Sequence, residues 1–276
     1  MPIRFSPRPT GVLALAALLG SSALSAQQYW PDRGEGTVIR ADFLKPFFKE
    51  DGFQFLSGVV FLSGSGPVGR SVRIEADVPL VRAGLSNGAL AESSLRLGNP
   101  YAGVRIHQAD RPLSGYFGLR LPLASEPQTA AAGLAMEVGA MTDPDRLEAF
   151  LSNVLTVRAG AELRSVSPGG LLIGAKLGPS LLVPTKGEGA DPELFADYGV
   201  QAGYEGAAIR ATVGITGRLL ATEDVSFAER TFHSITGVIE LRRGPVRPSL
   251  LFRMPLDSSV RESHSATVGF GMAIVL

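Results

Sequence analysis

The last eleven residues of the sequence, 266–276, constrain the fold more than any other stretch. Every second position carries a large apolar side chain, and the positions between are mostly small. The large residues are Val268, Phe270, Met272, Ile274 and Leu276. Because a strand sends alternate side chains to opposite faces, this segment has one apolar face and one nearly bare face. A soluble sandwich strand usually continues into polar residues, whereas this sequence ends on its apolar face, so we expect the closing strand of a barrel that contacts lipid.

The same alternation recurs along the chain. In residues 72–80, Arg73, Glu75 and Asp77 share one face and large or small apolar residues share the other. A face with three charges cannot enter a soluble core, so it needs either solvent or the polar lumen of a membrane barrel. Comparable segments lie at 102–107, 116–121, 155–164, 173–181, 197–205, 209–218, 235–242 and 246–254. Several reach about ten residues, which matches the length that crosses a bilayer with tilt.

Connection lengths give an independent count of strands, because membrane barrels have short turns at the periplasmic end and long loops at the external end. The predicted short connections are 64–69, 108–113, 165–169, 206–207 and 243–245. The predicted long connections are 84–98, 125–153, 185–193, 222–230 and 257–263. Short and long alternate, which predicts an all-β, antiparallel transmembrane barrel of about twelve strands, with 37–47 as the first strand and 53–63 as the second. A turn at 64–67 is predicted to end the second strand.

The long connection 125–153 needs separate treatment. Residues 133–141 alternate like a strand, but an extra strand would make the count odd, so we place them in an external excursion. Asp143 and Pro144 have the residue types of an N-cap and a first helical position, which predicts one short helix over 145–152. Whether this helix lies over the mouth or inside it stays open.

The amino-terminal residues predict export. Arg4 and Arg8 precede an apolar run at 12–19 that is too short to span a membrane, and small residues follow at 21–26. We therefore expect a signal peptide at 1–26, a short segment at 27–36 and one barrel domain at 37–276. The chain has no Cys, which excludes lipid acylation at Cys and disulfides. Its 26 basic and 26 acidic residues balance, which gives no indication of nucleic-acid binding.

The charged faces of the strands define a set of candidate lumen residues in which basic side chains outnumber acidic ones. The basic members are Arg73, Arg105, His107, Arg120, Arg158, Arg164, Lys176, Arg210, Arg218, Arg242, Arg247 and Arg253. The acidic members are Glu75, Asp77, Glu162, Asp197, Glu205 and Glu240. One interpretation is a narrow passage that favours anionic or polar solutes. The other is a lumen filled by ion pairs, because small barrels have room only for side chains and wide porins need more strands.

Catalysis is the rival class of function. A barrel-type lipid-modifying enzyme needs a His and a Ser on one face, activated by a third group. The adjacent pairs His233–Ser234 and His264–Ser265 point to opposite faces of a strand, and His107 has no Ser two residues away. We therefore predict no catalytic residue, no metal site and no cofactor. A soluble periplasmic sandwich and a non-conducting structural or adhesive barrel remain alternatives.

The signal peptide, the alternating strands, the short inner turns and the closing row from Val268 to Leu276 together resemble Gram-negative outer-membrane β-barrel proteins. That group includes small channels and barrel-type exporters and importers of hydrophobic compounds. The resemblance implies residence in outer-membrane lipid, insertion by the barrel assembly machinery through the closing row, and passive transport of small polar, anionic or hydrophobic solutes. Leu276 departs from the family, whose assembly signal usually ends in an aromatic residue. Aromatic residues at the membrane interfaces are also few, with Tyr101, Phe117, Tyr198 and Tyr204 as the candidates.

Overall fold

The computed structural model describes residues 36–49, 53–54, 56–84, 92–107, 111–186, 191–222, 226 and 230–276. The predicted signal peptide lies outside the described residues. The strands are β1 Val38–Phe48, β2 Gly58–Val68, β3 Val72–Gly84, β4 Ser93–Leu97, β5 Tyr101–His107, β6 Leu113–Arg120, β7 Val154–Val166, β8 Leu171–Pro184, β9 Glu193–Glu205, β10 Ile209–Leu220, β11 Thr231–Leu241, β12 Val246–Pro255 and β13 His264–Val275. The helices are α1 Ala130–Thr142, a 3₁₀ helix Pro144–Phe150 and α2 Ser258–Arg261. No helix in the described part of the chain is long and apolar enough to cross a membrane.

The strands form one closed antiparallel barrel. Apart from β4 and β5, consecutive strands pair with each other, and β1 pairs with both β2 and β13, which closes the sheet. β4 and β5 both pair with β3, so they form one barrel strand that is interrupted at residues 98–100. The barrel therefore has twelve strands, and the fold class predicted from the sequence is confirmed. Closure pairs β1 with β13, so neither the first nor the last strand is left as a sheet edge.

The closing strand lies where the sequence indicates. Phe43 of β1 pairs with Phe270 of β13, and Val38 pairs with Val275. Val268, Phe270 and Ile274 are exposed on the outer surface, while Gly269, Gly271 and Ala273 are buried. Exposed apolar side chains recur around the barrel. Lipid solvates such a surface favourably and water does not, so the outer face is suited to a membrane.

One strand differs from its predicted position. Residues 53–63 were expected to form the second strand, with a turn at 64–67, but β2 runs over Gly58–Val68 and the turn follows at 69–71. Gly69 has φ of 76°, a conformation that glycine adopts without strain. The small residues of β2 continue the ladder, with Ser65 opposite Glu75 and Pro67 opposite Arg73. Pairing between β2 and β3 thus extends the strand through residues whose composition favours a turn. The predicted bounds of the second strand and the predicted turn at 64–67 are therefore wrong.

The connection between β6 and β7, residues 121–153, folds into the barrel, and we call it the plug. Thr129 caps α1, with its side-chain oxygen 3.2 Å from the backbone nitrogen of Ala132. Residues 133–141, which alternate like a strand, are helical within α1. The 3₁₀ helix begins at Pro144 with Asp143 at its N-cap position, as predicted, but the Asp143 side chain makes no capping hydrogen bond. All residues of the 3₁₀ helix are buried, which places it inside the lumen.

Candidate functional site: the plugged lumen

The structure places all the candidate lumen residues on the inner face of the barrel. Most have almost no exposed surface, including Arg120 and Arg218 at 0%. Their ion pairs join strands that are not sheet neighbours, such as Arg105 of β5 with Glu162 of β7. Only side chains that point into a shared lumen can meet across intervening strands. The sequence also contained two inner-face residues, Arg40 and Asp42, that were not among the candidates.

The end of the lumen with short turns holds a network of ion pairs. Glu205 contacts Arg164, Arg210 at 2.7 Å and Arg242 at 3.3 Å. Arg40 contacts Asp42 at 2.7 Å, Glu240 at 3.3 Å and the hydroxyl of Ser249 at 2.7 Å. Buried charges need such partners, since an isolated one is very costly to desolvate. These ion pairs link the walls of the lumen at this level.

A small cavity lies within this network, lined by Arg40, Asp42, Gln201, Thr212 and Glu240 among other residues. Its volume is about 40 Å³. One water needs roughly 10–15 Å³ measured in this way, so the cavity holds only a few water molecules. It is too small for an organic solute in this conformation.

The middle of the lumen is where the plug meets the wall. Asp143 and Asp145 bind the two terminal nitrogens of Arg253 at 2.5 Å and 2.7 Å. Asp143 also pairs with Arg146 of the plug at 2.7 Å. We call Asp143, Asp145 and Arg253 the Arg253 cluster. Its distances are those of strong charge-assisted hydrogen bonds.

A second contact lies beside it. Glu148 of the 3₁₀ helix is placed between Arg158 at 3.3 Å and Arg218 at 3.4 Å. Both arginines also contact Asp197 of the wall, Arg218 at 2.6 Å and Arg158 at 3.6 Å. We call Glu148, Arg158 and Arg218 the Glu148 cluster. Its contacts to the plug are longer than those of the Arg253 cluster.

Asn99 connects the plug to the interruption between β4 and β5. Its side-chain nitrogen donates to the carbonyl oxygens of Glu148 at 2.9 Å and Leu151 at 2.7 Å, and its side-chain oxygen accepts from the backbone nitrogen of Ala124 at 2.6 Å. Arg120 donates to the Asn99 carbonyl oxygen at 2.6 Å and to Asp77 at 2.8 Å. From the sequence, 97–101 indicates only a turn before a strand. No local signal distinguishes Asn99 from an ordinary turn residue.

The charges at this level balance only when the plug is in place. The wall contributes four arginines, Arg120, Arg158, Arg218 and Arg253, against the two carboxylates Asp77 and Asp197. The plug contributes Asp143, Asp145 and Glu148 against Arg146. The wall alone thus carries an excess of two positive charges, and the plug neutralises it.

Two of the plug carboxylates, Asp143 and Glu148, are held in their charged form. Burial opposes ionisation of Asp143, but the guanidinium groups of Arg146 and Arg253 outweigh it and hold the pKa of Asp143 well below its usual value. Burial likewise opposes ionisation of Glu148, and Arg218, Arg158 and Arg120 lower its pKa. The plug is therefore anionic across the neutral pH range.

The end of the lumen with long loops is apolar and packed. One cluster joins wall residues of β1 to β3 to the plug: Leu44, Val59, Phe61, Val81, Ala83, Ala124, Ala135, Met136, Val138, Ala149 and Phe150. A second joins the plug to β7 to β10: Leu147, Leu151, Val154, Leu182, Phe195 and Leu220. Arg146 lies 3.2 Å from the centre of the Phe61 ring. The apolar side chains of the plug therefore contact the apolar wall near the long loops, and its carboxylates contact the wall arginines.

The histidines occupy separate environments. His107 is buried on the inner face of β5. His233 lies on the outer face, where its ring contacts Tyr198 at 2.6 Å and Asp257 at 3.3 Å, while the adjacent Ser234 bonds Thr216 inside. His264 contacts the carbonyl oxygen of Ala266 at 2.8 Å and the hydroxyl of Thr267 at 3.0 Å. Among the described residues, no group of three or more His, Asp or Glu side chains could hold a metal ion.

Comparison with solved structures supports the fold. An outer membrane channel from Pseudomonas putida F1 has a TM-score of 0.62 at 9% identity, covering 92% of this chain and 100% of that one. The translocator domain of autotransporter NalP from Neisseria meningitidis has a TM-score of 0.53 at 11% identity, covering 96% and 97%. The NanC porin has a TM-score of 0.52 at 9% identity, covering 87% and 100%. No protein-family model matches the sequence. No curated protein matches it either.

These likenesses and the closed barrel define the class: the chain has the fold of outer-membrane β-barrel proteins. Within that class it is a twelve-stranded barrel whose lumen contains an ion-paired plug.

Proposed function

We propose that this protein is a gated passive channel of the outer membrane, which the plug closes at rest and which passes small anionic solutes when the plug withdraws. The observation that carries the proposal is the charge of the wall. Four wall arginines surround the plug: Arg120, Arg158, Arg218 and Arg253. The wall carboxylates that form ion pairs with them are Asp77 and Asp197, so removing the plug leaves an excess of two positive charges among these groups. A low-dielectric passage with that excess attracts anions.

The plug is suited to move as a unit. It is a single connection whose two ends lie at the same end of the barrel, and it is attached to the wall by a few polar contacts and two apolar clusters. No strand pairing has to break for it to leave, because the plug is not a strand of the sheet. The hydrogen bonds that Asn99 donates to its backbone carbonyls have to break. The barrel therefore stays closed as a sheet while the lumen opens.

The location follows the same reasoning. The exposed apolar outer face supports residence in outer-membrane lipid, with the short turns toward the periplasm. Insertion by the barrel assembly machinery through Val268, Phe270, Met272, Ile274 and Leu276 belongs to the proposal. We favour transport over catalysis because His233 and Ser234 face opposite sides of the barrel wall.

Single-channel recording in planar bilayers tests the proposal. The wild type should be closed for most of the time, and the double variant Asp143→Asn with Asp145→Asn should open more often, because it removes both carboxylates from Arg253. The open state should prefer chloride to potassium, and Arg218→Gln in the same background should reduce that preference. Asp257→Asn, which changes a carboxylate on the outer surface, is the matched control and should behave as wild type.

The opposite outcome is also informative. If the double variant folds as a barrel and still shows no discrete conductance at any voltage, the channel proposal fails. A non-conducting structural barrel would then account better for the plugged lumen.

A further inference from the structure

Glu148 makes long contacts with its two arginines, and Arg218 has a further donor available. Charge-assisted hydrogen bonds between a guanidinium and a carboxylate normally measure about 2.7–2.9 Å, whereas Glu148 lies 3.3 Å from Arg158 and 3.4 Å from Arg218. The Nη2 atom of Arg218 has no hydrogen-bond partner, although its side chain is fully buried. The two arginines could therefore bind another carboxylate better than they bind Glu148.

Apolar wall residues adjoin the same two arginines. Phe195 packs against Arg218, with 4.4 Å between the guanidinium carbon and the ring centre. Val154 and Leu220 continue this surface on β7 and β10, the strands that also carry Arg158 and Arg218, and Leu182 continues it on β8. At present, Leu147 and Leu151 of the plug cover it. The wall thus offers a cationic site next to an apolar one.

The charge of the cationic site limits what can bind. Arg158 and Arg218 share Asp197, so the three wall groups carry one net positive charge. A monoanion neutralises this site, whereas a dianion would leave a buried charge without compensation. Glu148 is itself a monoanion, and the adjoining Leu147 and Leu151 give the plug an apolar body of limited size.

We propose that Arg158 and Arg218, together with Phe195, Leu182 and Leu220, form a binding site for monocarboxylates with an apolar body. When the plug is in place, this site is occupied by its own residues Leu147, Glu148 and Leu151, which take the position of a ligand. The inference rests on the proposed channel and names the class of solute that the channel would take up. A bound acid competes with Glu148 and favours the open position of the plug.

The test is a titration of the full chain in lipid nanodiscs with 3-phenylpropanoate, corrected for empty nanodiscs. Glu148→Gln should bind this acid at least about tenfold more tightly than wild type, because the competing carboxylate is gone and the competent state is more populated. Glu262→Gln, at an exposed carboxylate beside α2, is the matched control and should bind as wild type. Adding Arg218→Gln to Glu148→Gln should abolish binding.

The neutral analogue 3-phenylpropanol tests the cationic part of the site, and acetate tests the apolar part; both should bind Glu148→Gln far more weakly than 3-phenylpropanoate. Leu147→Ala keeps every charge and removes part of the apolar surface with which the plug occupies the site, so it should tighten binding in the same direction. It replaces Glu148→Gln if that variant does not fold. Equal binding of acid and alcohol, or no tighter binding in the variant that folds, would overturn the inference.

The two proposals fail separately. Binding of the acid without any conductance would leave the site in place and remove the channel. Conductance in the plug variants without tighter binding of the acid would keep the channel and remove this ligand class.

Discussion

The Arg253 and Glu148 clusters differ although they lie in the same lumen and both hold the plug. In the Arg253 cluster, two carboxylates bind one guanidinium at 2.5 Å and 2.7 Å. In the Glu148 cluster, one carboxylate is shared between two guanidinium groups at 3.3 Å and 3.4 Å, and the wall already supplies Asp197 to both. The side chains of both clusters are almost fully buried. The clusters therefore differ in their contact distances and in whether a wall carboxylate already pairs with the arginines. The comparison predicts that the Arg253 cluster holds the plug more strongly than the Glu148 cluster does.

The largest effect is expected from Arg253→Gln. This change removes Arg253 from both Asp143, which keeps Arg146, and Asp145. Breaking a buried ion pair costs about 3–5 kcal/mol. Hydrogen exchange of the α1 amides should report this loss as a lower free energy of plug opening. Arg261→Gln, at an exposed arginine of α2, is the control and should leave exchange unchanged. A loss below about 1 kcal/mol, the range of surface pairs, would refute the anchoring role.

Glu148→Gln should have a smaller effect on plug opening. Arg158 and Arg218 keep Asp197 after the change, and the contacts that are lost are long, so we expect a loss of about 1–2 kcal/mol. The same hydrogen-exchange experiment measures it beside Arg253→Gln. An equal or larger loss in Glu148→Gln would reverse the comparison between the two clusters.

The smallest effect within the neutral range is expected from pH. The pKa values of Asp143 and Glu148 are lowered in the folded protein, so their contribution to stability is complete above their ordinary values of about 4 and is lost as pH falls through the folded values. Plug opening, followed by hydrogen exchange corrected for intrinsic rates, should therefore stay constant from about pH 8 to 5 and increase only in stronger acid. An increase between pH 8 and 5 would show that other groups control the plug.

Much of the barrel could be predicted because the alternation of apolar and polar residues within each strand is local in the sequence. In β3, the alternation of Ile74 and Ala76 with Arg73, Glu75 and Asp77 determines both the strand and the side that faces the lumen. The closing strand and its partner β1 were predictable for the same reason. The predicted turn at 64–67 was wrong because the small residues of β2 are stabilised by register with β3, which local composition does not record.

The plug marks the limit of that approach. The sequence placed residues 125–153 outside the strand count and predicted a helix near Pro144, but it could not choose between a lid over the mouth and a plug inside it. That choice depends on Arg253, Arg218 and Asn99, which are distant in sequence from the plug residues that they contact. No periodicity within the plug encodes those partners.

The sequence by itself determined the membrane barrel, its strand count and the charged inner face, because alternation within each strand sets which side chains meet lipid. Only the tertiary structure decided that the lumen is closed, which carboxylates neutralise its arginines and which of those contacts is weak. Those properties arise from pairs of charges brought together across the barrel, and their strength depends on distances and burial that exist only after the chain has closed.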